Sequence, residues 1–383
     1  MNTNSVSDRA MDLGIPTKIH ERDPATLAPK LGRILGCHFP ERTRLAVSHV
    51  DVPSGAGVNN ETLLLDLAWR EGRRRMIGGA VLRIDTPNNL FFAPSFAHHY
   101  RLYEVMADQP GVPVPQVYGF ETDTEAIGRP FFFMERIEGR VPSDQPPFHS
   151  AGWMAEASPA ARKRMWQDAV KVLAQIHATD IGRVGFLDRP ELARSGLEQE
   201  FVHALDYCED ALGGDRHPVV EAGRDWLRRH FPGNPGTAFA WGDARPQNLM
   251  FRDDRVVALF DWDMASLAGP EADLAWWSLM DLSNTVARGL PRLDGWGSPA
   301  ETIALWKRLT GKSLRDMDWH FAFAAFRGAV IVMRLAKMLE RKGQLPPGSA
   351  DWKDNSIGVQ YLASMLGLVP MGKDNAGWPG VAV

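Results

Sequence analysis

Residues 241–263 read WGDARPQNLMFRDDRVVALFDWD, and the interpretation of the whole chain depends on this stretch. Two apolar runs separated by an Asp-Asp turn predict a hairpin of short strands within 249–260. Asp243 and Asn248 lie just before this hairpin, and Asp261 comes directly after it. Polar side chains at the ends of buried strands are commonly catalytic, because the strands hold them rigidly.

The residue types in this stretch are those needed for transfer of a phosphoryl group. The spacing D-x-x-x-x-N, followed by an aspartate at the end of an apolar strand, is the arrangement of protein kinases. Asp243 is suited to orient or deprotonate an attacking hydroxyl, and Arg245 is suited to neutralise charge on the phosphate. Asn248 and Asp261 provide the hard oxygen ligands that Mg²⁺ prefers. A single Asp or Asn in a loop is a common turn former, but the combination at this spacing favours catalysis.

Together with GPEADLA at Gly269–Ala275, these motifs resemble the aminoglycoside phosphotransferase family over about residues 44–365. The likeness is greatest to a bacterial branch with a Trp-Gly-Asp catalytic loop, which shares features with the kinase-like domains linked to acyl-CoA dehydrogenases. The resemblance implies an ATP- and Mg²⁺-dependent phosphotransferase. Such an enzyme moves the γ-phosphoryl group to a hydroxyl of a small molecule.

The resemblance also assigns roles to individual residues. It implies that Asp243 is the base, that Asn248 and Asp261 are the metal ligands, and that Asp273 braces the catalytic loop. The chain departs from the family at Trp241, where most members have histidine. A tryptophan can brace the loop by packing, so the chemistry is retained. The departure nevertheless leaves a second hypothesis, a pseudokinase-like module that binds a nucleotide or ligand without turnover.

The predicted elements fit the fold class that the resemblance implies. This is an α+β, two-lobed, protein-kinase-like fold, with a small antiparallel-sheet N-lobe containing one helix and a larger, mainly helical C-lobe. The predicted divisions are an N-terminal segment with a helix (1–43), a nucleotide-binding N-lobe (44–139), a C-lobe with the catalytic loop and acceptor site (140–370) and a tail (371–383). A short strand is also predicted at 237–240, just before the catalytic loop.

The N-lobe contains residues suited to nucleotide phosphates. The turn before the second strand contains Ser54, Gly55 and Gly57, and glycines there permit close approach of backbone N–H groups to phosphate. Glycine-containing hairpins are also common without any ligand. Kinases generally have a lysine on the third strand, where this chain has Arg83, which retains the charge. The alternative is that Arg83 is a solvent-facing strand cation. Glu104 is the predicted acidic partner on the following helix.

The last N-lobe strand is predicted to continue into a hinge. In folds of this kind, hinge backbone groups bind adenine, which here assigns the Glu135 carbonyl and the Ile137 amide. His177 resembles a family histidine, for which a packing or hydrogen-bonding role is expected rather than catalysis.

Composition restricts the other functional classes. The formal net charge of −4 argues against general binding to nucleic acid or to an anionic membrane. Two cysteines, Cys37 and Cys208, cannot form a disulfide framework or a cysteine metal cluster. No signal peptide and no apolar run of about 18 residues is visible, so a cytoplasmic protein is expected.

Two other enzyme classes fit less well. The run ending in Asp261-Trp262-Asp263 resembles the nucleophile motif of haloacid-dehalogenase-type phosphatases, but those need a parallel sheet after the motif, where this chain is predicted to be helical. A protein kinase is disfavoured because no peptide-binding activation segment lies between Asp261 and the helix predicted at Glu271. Asp263 itself is interpreted either as a contact to a metal ligand or to the substrate, or as an exposed turn carboxylate.

The acceptor is not evident from the motifs. A polycationic aminoglycoside requires an acidic pocket, and five carboxylates could form one: Glu198, Glu200, Asp206, Glu209 and Asp210. A solvated acidic helix face explains these residues more simply. Alternatively, some of the thirteen tryptophans, among them Trp276, Trp277, Trp296 and Trp319, could line a pocket for an apolar alcohol, although most are expected in the core.

Overall fold

The structure is a computed structural model and describes residues 24–51, 60–86, 90, 95–122, 124–125, 127–348, 353–354 and 356–369. The chain forms two compact units, which are described separately. Unit 1 comprises residues 1–91, 95–104 and 115–137, and unit 2 comprises residues 92–94, 105–114 and 138–383.

Unit 1 is built on a five-stranded antiparallel sheet. Its strands are β1 (Thr43–Asp51), β2 (Glu61–Glu71), β3 (Arg74–Ile84), β4 (Val117–Glu121) and β5 (Phe131–Glu135). The spatial order is β1-β2-β3-β5-β4. Helix α1 (Pro24–His38) belongs to this unit, as does most of α2 (Phe96–Ala107).

The core of unit 1 follows from residue spacing. In β2, Leu63, Leu65 and Leu67 alternate with more exposed residues, as expected for a strand with one buried face. In α1, Leu31 and Leu35 lie four residues apart, face the same side of the helix and pack into the same apolar core. Helix α1 therefore contributes Leu31 and Leu35 to the core of unit 1.

Unit 2 is mainly helical. Its helices are α3 (Trp153–Glu156), α4 (Pro159–Ile176), α5 (Gly196–Leu212), α6 (Pro218–Arg229), α7 (Pro270–Asn284), α8 (Pro299–Thr310), α9 (Met317–Arg341) and α10 (Ile357–Met365). One antiparallel hairpin, β6 (Leu249–Arg252) and β7 (Arg255–Leu259), interrupts them. Both sheets of the described residues are antiparallel, so the parallel sheet of a haloacid-dehalogenase-type phosphatase is not present there.

Helix α9 is the centre of unit 2. It is buried almost continuously from Trp319 to Val330 and contacts α5, α6, α7 and α10. Helix α10 approaches it closely at Gly358, where an added Cβ would lie 2.3 Å from the backbone nitrogen of Ala329. Although α9 is long and rich in apolar residues, it does not qualify as a membrane span, and neither does any other helix in the described ranges.

The prediction of a strand at 237–240 was wrong. Ala238 and Ala240 each form only an isolated bridge, to Ala268 and Ser266 respectively. A ladder cannot extend along the partner segment, because α7 begins at Pro270. The bridges nevertheless fix the backbone that enters the catalytic loop.

Candidate active site

The predicted catalytic loop, residues 241–248, leads into the β6–β7 hairpin. Pro246–Asn248 forms a single 3-10 turn that leads directly into β6. The Phe260 N–H, just after β7, donates to the Asn248 carbonyl at 3.0 Å. This bond joins the backbone of Asn248 to that of Phe260, the residue before Asp261. The hairpin therefore brings the backbones of Asn248 and Asp261 near each other, although the two residues are thirteen positions apart.

Asp243 is buried and accepts three hydrogen bonds. Its Oδ1 accepts from the Trp276 indole N–H at 2.7 Å. Its Oδ2 accepts from the Asn248 amide at 2.7 Å and from Arg245 Nε at 3.0 Å. Hydrogen bonds to an ionised acceptor are stronger than neutral ones, so these donors fix the orientation of the carboxylate.

The orientation of the Asn248 amide follows from its partners. The Nδ2 group donates to both the carbonyl and the carboxylate of Asp243, at 3.0 and 2.7 Å. Both partners are acceptors only, so nitrogen must face them and Oδ1 must point away from Asp243. The amide oxygen is thus left for another contact, as a metal ligand requires.

Arg245 lies between two carboxylates. Besides Asp243, it contacts both carboxylate oxygens of Asp144 through Nη1, at 3.0 and 3.1 Å. Burial alone would lower the pKa of Arg245, but the nearby charges of Asp243, Asp144 and Asp261 outweigh burial and raise it. Arg245 is therefore a permanent cation that holds Asp243 in place.

Asp273, on α7, holds the start of the catalytic loop. Its Oδ1 accepts from the Gly242 N–H and its Oδ2 from the Trp241 N–H, both at 2.7 Å. Oδ2 also accepts from His177 Nε2 at 2.9 Å. Since His177 Nδ1 accepts from the Trp306 indole at 2.9 Å, Nε2 must carry the proton that it donates to Asp273. His177 thus supports the loop through hydrogen bonds, in a fully buried network.

Trp241 does more than pack. Its indole N–H donates to the carbonyls of Phe260 and Asp261, at 3.1 and 2.9 Å. The indole therefore ties the catalytic loop to the segment that contains Asp261. Neighbouring Gly242 has φ +93°, and a Cβ there would lie 1.8 Å from the Met264 carbonyl oxygen, so only glycine fits.

Asp261 has a left-handed backbone with φ 65°. Aspartate tolerates this region better than most residues, but it is still sparsely populated, and such outliers cluster at functional sites. Its Oδ1 accepts from the Asp263 N–H at 3.2 Å, which forms a tight turn. Asp263 itself is only 2% exposed. The interpretation of Asp263 as an exposed turn carboxylate was therefore wrong.

The donor set fits Mg²⁺ shared with a nucleotide. Among the described residues, no three His, Cys, Asp or Glu side chains are arranged to hold a metal by themselves. Mg²⁺ is commonly bound by one or two protein oxygens together with substrate phosphates. The Asn248 amide oxygen and the Asp261 carboxylate are of this chemical type.

The structure does not support, as a group, most of the residues of unit 1 that were predicted to contact nucleotide phosphates. Ser54, Gly55 and Gly57 lie outside the described residues. Arg83 is half-buried on β3, and its Nη1 donates to Thr62 Oγ1 at 2.8 Å. Glu104 is exposed and hydrogen-bonded to Tyr100. Among the described ion pairs none joins Arg83 to Glu104.

The predicted hinge is at the end of β5. Glu135 is its last residue and pairs with Ala80 of β3. Ile137 lies beyond the strand, and among the described residues its N–H has no backbone hydrogen-bond partner. An unpaired amide at this position is consistent with a contact to a ligand.

The acidic cluster on α5 is largely neutralised. Glu200 is buried between Arg189 and Arg327, at 3.0 and 3.3 Å. Glu209 pairs with Arg224 and Asp210 with Arg334. Of the tryptophans considered for an acceptor pocket, Trp319 packs against Phe201, Phe231 and Phe323, and Trp296 packs against Phe148. These two belong to the core.

Two contacts of this site were missed at the sequence level. Trp276 lies three residues after Asp273, and residues at this spacing share one face of a helix. That spacing was a usable signal once Asp273 had been placed against the catalytic loop. Asp144 gave no comparable signal, since it lies in a proline-rich stretch about a hundred residues before Arg245.

Comparison with known proteins identifies relatives of this chain. A protein of Arabidopsis thaliana named "Probable acyl-CoA dehydrogenase IBR3" is 26% identical over 300 residues, which are 72% of this chain and 35% of that protein. The chain thus spans about a third of the length of this curated relative. It spans 26% and 36% of the lengths of two further curated relatives.

Solved structures establish the fold. A Ralstonia eutropha protein provisionally described as an aminoglycoside phosphotransferase superposes with a TM-score of 0.64 and 23% identity, covering 87% of this chain and 97% of that one. A spectinomycin phosphotransferase solved with ADP and spectinomycin gives a TM-score of 0.51 and 11% identity, with 86% and 96% covered. The chain has the kinase-like α+β fold of these proteins.

The family itself is shown by a sequence match. The pattern that defines the phosphotransferase enzyme family matches residues 67–307, which is more than half of the chain. The matched region includes the loop with Asp243, the hairpin, and the brace from Asp273. The chain belongs to the phosphotransferase enzyme family, whose abbreviated name is APH.

Proposed function

We propose that this protein transfers the γ-phosphoryl group of ATP to a hydroxyl of a small molecule, with Mg²⁺ and with Asp243 as the base. The observation that carries the proposal is the arrangement of three oxygen-bearing side chains. Asp243 is oriented by three donors, the Asn248 amide oxygen is turned away from it, and Asp261 lies beside Asn248 at the end of the hairpin.

The roles of the chain's own residues follow from these contacts. Asp243 orients the acceptor hydroxyl and receives its proton. Asn248 and Asp261 would hold Mg²⁺, which neutralises charge on the transferred phosphoryl group when bound. Arg245, paired with Asp243 and Asp144, holds the carboxylate of Asp243 in its orientation. A direct contact of Arg245 with the phosphate is a different role, and it stays a prediction.

Nucleotide binding is proposed for residues of unit 1. The predicted set is Ser54, Gly55, Gly57, Arg83, Glu104, Glu135 and Ile137. The spectinomycin phosphotransferase of the same fold is named as a complex with ADP, which supports a nucleotide of this kind. The half-buried Arg83 and the unpaired Ile137 N–H are the described groups best suited to such contacts.

The acceptor is proposed to be a small alcohol that is not a polycation. Three of the five carboxylates that could form an acidic pocket are paired with arginine, which cancels much of their attraction for an aminoglycoside. Aminoglycoside resistance is therefore not proposed for this chain.

A combined binding and turnover screen tests the function. The full chain is incubated with Mg·ATP and a library of hydroxyl compounds, and both its thermal stability and the release of ADP are measured. Wild type is compared with Asp243→Ala and Asp261→Ala. We expect acceptor-dependent ADP release that is lost in Asp243→Ala, and nucleotide stabilisation that requires Mg²⁺ and falls in Asp261→Ala.

Two results would refute the proposal. Mg·ATP stabilisation without turnover, unchanged in Asp243→Ala, would show a binding module of the pseudokinase type. An unaltered Mg²⁺-dependent response in Asp261→Ala would remove Asp261 as a metal ligand.

A further inference from the structure

Trp276 makes a contact that core packing does not require. It lies on α7, is 4% exposed, and its indole N–H donates to Asp243 Oδ1 at 2.7 Å. A buried indole N–H needs an acceptor, which is the Leu227 carbonyl for Trp319 and the His177 ring nitrogen for Trp306. In Trp276 the acceptor is the side chain proposed to be the base.

Counting acceptor sites distinguishes the two oxygens of Asp243. A carboxylate oxygen has two lone pairs, so the group accepts about four hydrogen bonds. Oδ2 already accepts from Asn248 and Arg245 and is saturated. Oδ1 accepts only from Trp276, which leaves one lone pair. The described contacts thus leave Oδ1 as the oxygen available to an acceptor hydroxyl.

The indole is itself held in place by a buried ion pair. The Arg327 guanidinium lies 5.3 Å from the centre of a Trp276 ring, in the range of a cation–π contact. Arg327 is paired with Glu200 at 3.3 Å. Burial raises the pKa of Glu200, but Arg327, His203 and Arg189 outweigh burial and lower it, so Glu200 stays ionised. The chain of contacts runs from Glu200 through Arg327 and Trp276 to the carboxylate of Asp243.

We propose that Trp276 is a positioning residue that fixes Asp243 Oδ1 as the proton-accepting oxygen, and that the Arg327–Glu200 pair holds its indole for this purpose. The proposal rests on the function proposed above. In the reaction, the acceptor O–H bond breaks and its proton passes to Oδ1. The acceptor oxygen bonds to the transferred phosphorus, and the departing ADP takes the electron pair of the broken P–O bond.

Removing the indole N–H separates positioning from packing. Trp276→Phe removes the N–H together with the five-membered part of the indole but keeps an aromatic ring, and Trp277→Phe, which loses the same atoms, is the matched control. Trp277 lies next to Trp276 on α7 and is 1% exposed, but no described hydrogen bond joins it to Asp243. ADP release from Mg·ATP with the same hydroxyl library gives kcat and the nucleotide KM, and thermal unfolding reports stability.

We expect Trp276→Phe to lower kcat by about ten- to a hundredfold, the effect of losing one hydrogen bond to a charged group. The nucleotide KM should stay within about twofold of wild type, and Trp277→Phe should keep both constants. A structural role alone would affect both tryptophan variants alike. If Trp276→Phe does not fold, β-(3-benzothienyl)alanine at position 276 replaces only the N–H by sulfur and should show the same loss of kcat.

The outcomes separate this inference from the proposed function. A wild-type kcat in Trp276→Phe, or in the benzothienyl variant, would overturn the inference, as would equal losses in both tryptophan variants. Asp243→Asn is measured alongside. If Asp243→Asn loses turnover while the Trp276 variants keep it, only the role of Trp276 fails. If Asp243→Asn keeps turnover, the proposed base fails and the role of Trp276 fails with it.

Discussion

Replacing Asp273 by asparagine should destabilise unit 2 strongly, although the two side chains have nearly the same shape. The Asp273 side chain is about 1% exposed and accepts from three N–H donors, those of Trp241, Gly242 and His177. The asparagine oxygen can replace Oδ2, which takes two donors. Its NH₂ group would then face the Gly242 N–H, so two donors would meet without an acceptor.

The magnitude follows from these contacts. One buried donor left unsatisfied costs about 1–3 kcal/mol, and two remaining bonds lose the strength that the charged acceptor provides. We expect a decrease of about 3–5 kcal/mol in the free energy of unfolding. Urea denaturation followed by tryptophan fluorescence measures it, with Asp253→Asn as the control. Asp253 is exposed in a turn with φ 50°, a conformation that asparagine adopts equally well.

The result that would refute this reasoning is specific. An Asp273→Asn variant that unfolds within about 0.5 kcal/mol of wild type and of Asp253→Asn, the usual range for a neutral surface change, would show that the three bonds do not hold the loop. Turnover supplies a second readout. Since Gly242 adjoins Asp243, a displaced loop should lower kcat even under conditions where the variant is fully folded.

Three further predictions follow from local geometry. Gly242→Ala should abolish turnover and lower Tm, because its Cβ would overlap the Met264 carbonyl oxygen; an active, stable variant would contradict this. Burial raises the pKa of the Cys208 thiol to about 11, whereas Cys37 is exposed, so a thiol reagent at neutral pH should modify one cysteine in the native protein and both in denaturant; rapid native modification of both would refute it. Burial, with nearby arginines, lowers the pKa of His149 to about 4. Below about pH 6.5 the unfolded chain therefore binds a proton that the native chain does not. As the pH decreases from there, the free energy of unfolding decreases by about 1.4 kcal/mol per pH unit. His149→Gln should remove that slope between roughly pH 4 and 6.5, and unfolding curves of equal pH dependence would contradict the assignment.

Much of the helical unit could be predicted because its helix starts have strong local signals. Ser158 followed by Pro159 predicts the start of α4, and the Ser158 hydroxyl accepts from the Ala161 N–H as an N-cap should. The strand expected at 237–240 failed for a physical reason: an apolar run needs a partner long enough to pair with, and a sequence pattern does not show the partner's length.

The candidate site was predicted from its residue types, but its connections were not predictable. The spacing of Asp243, Asn248 and Asp261 singles them out, and their catalytic and metal-binding roles stay predictions. The contacts of Arg245 with Asp144 and of Trp276 with Asp243 join segments that are distant in sequence, so they depend on how loops and helices pack. Trp241 illustrates the same limit. Its packing was foreseeable, but its two hydrogen bonds to the segment of Asp261 were not.

The most direct test of the central claim compares Asp243→Asn with wild type under two measurements on the same samples. Calorimetry gives the affinity for Mg·ADP, and mass spectrometry of the hydroxyl library with Mg·ATP gives the rate at which a phosphorylated acceptor forms. We predict that the variant binds Mg·ADP within about threefold of wild type but forms product at least about a hundredfold more slowly, as expected when a base is removed and binding is retained. Product formation at the wild-type rate in Asp243→Asn would contradict the account.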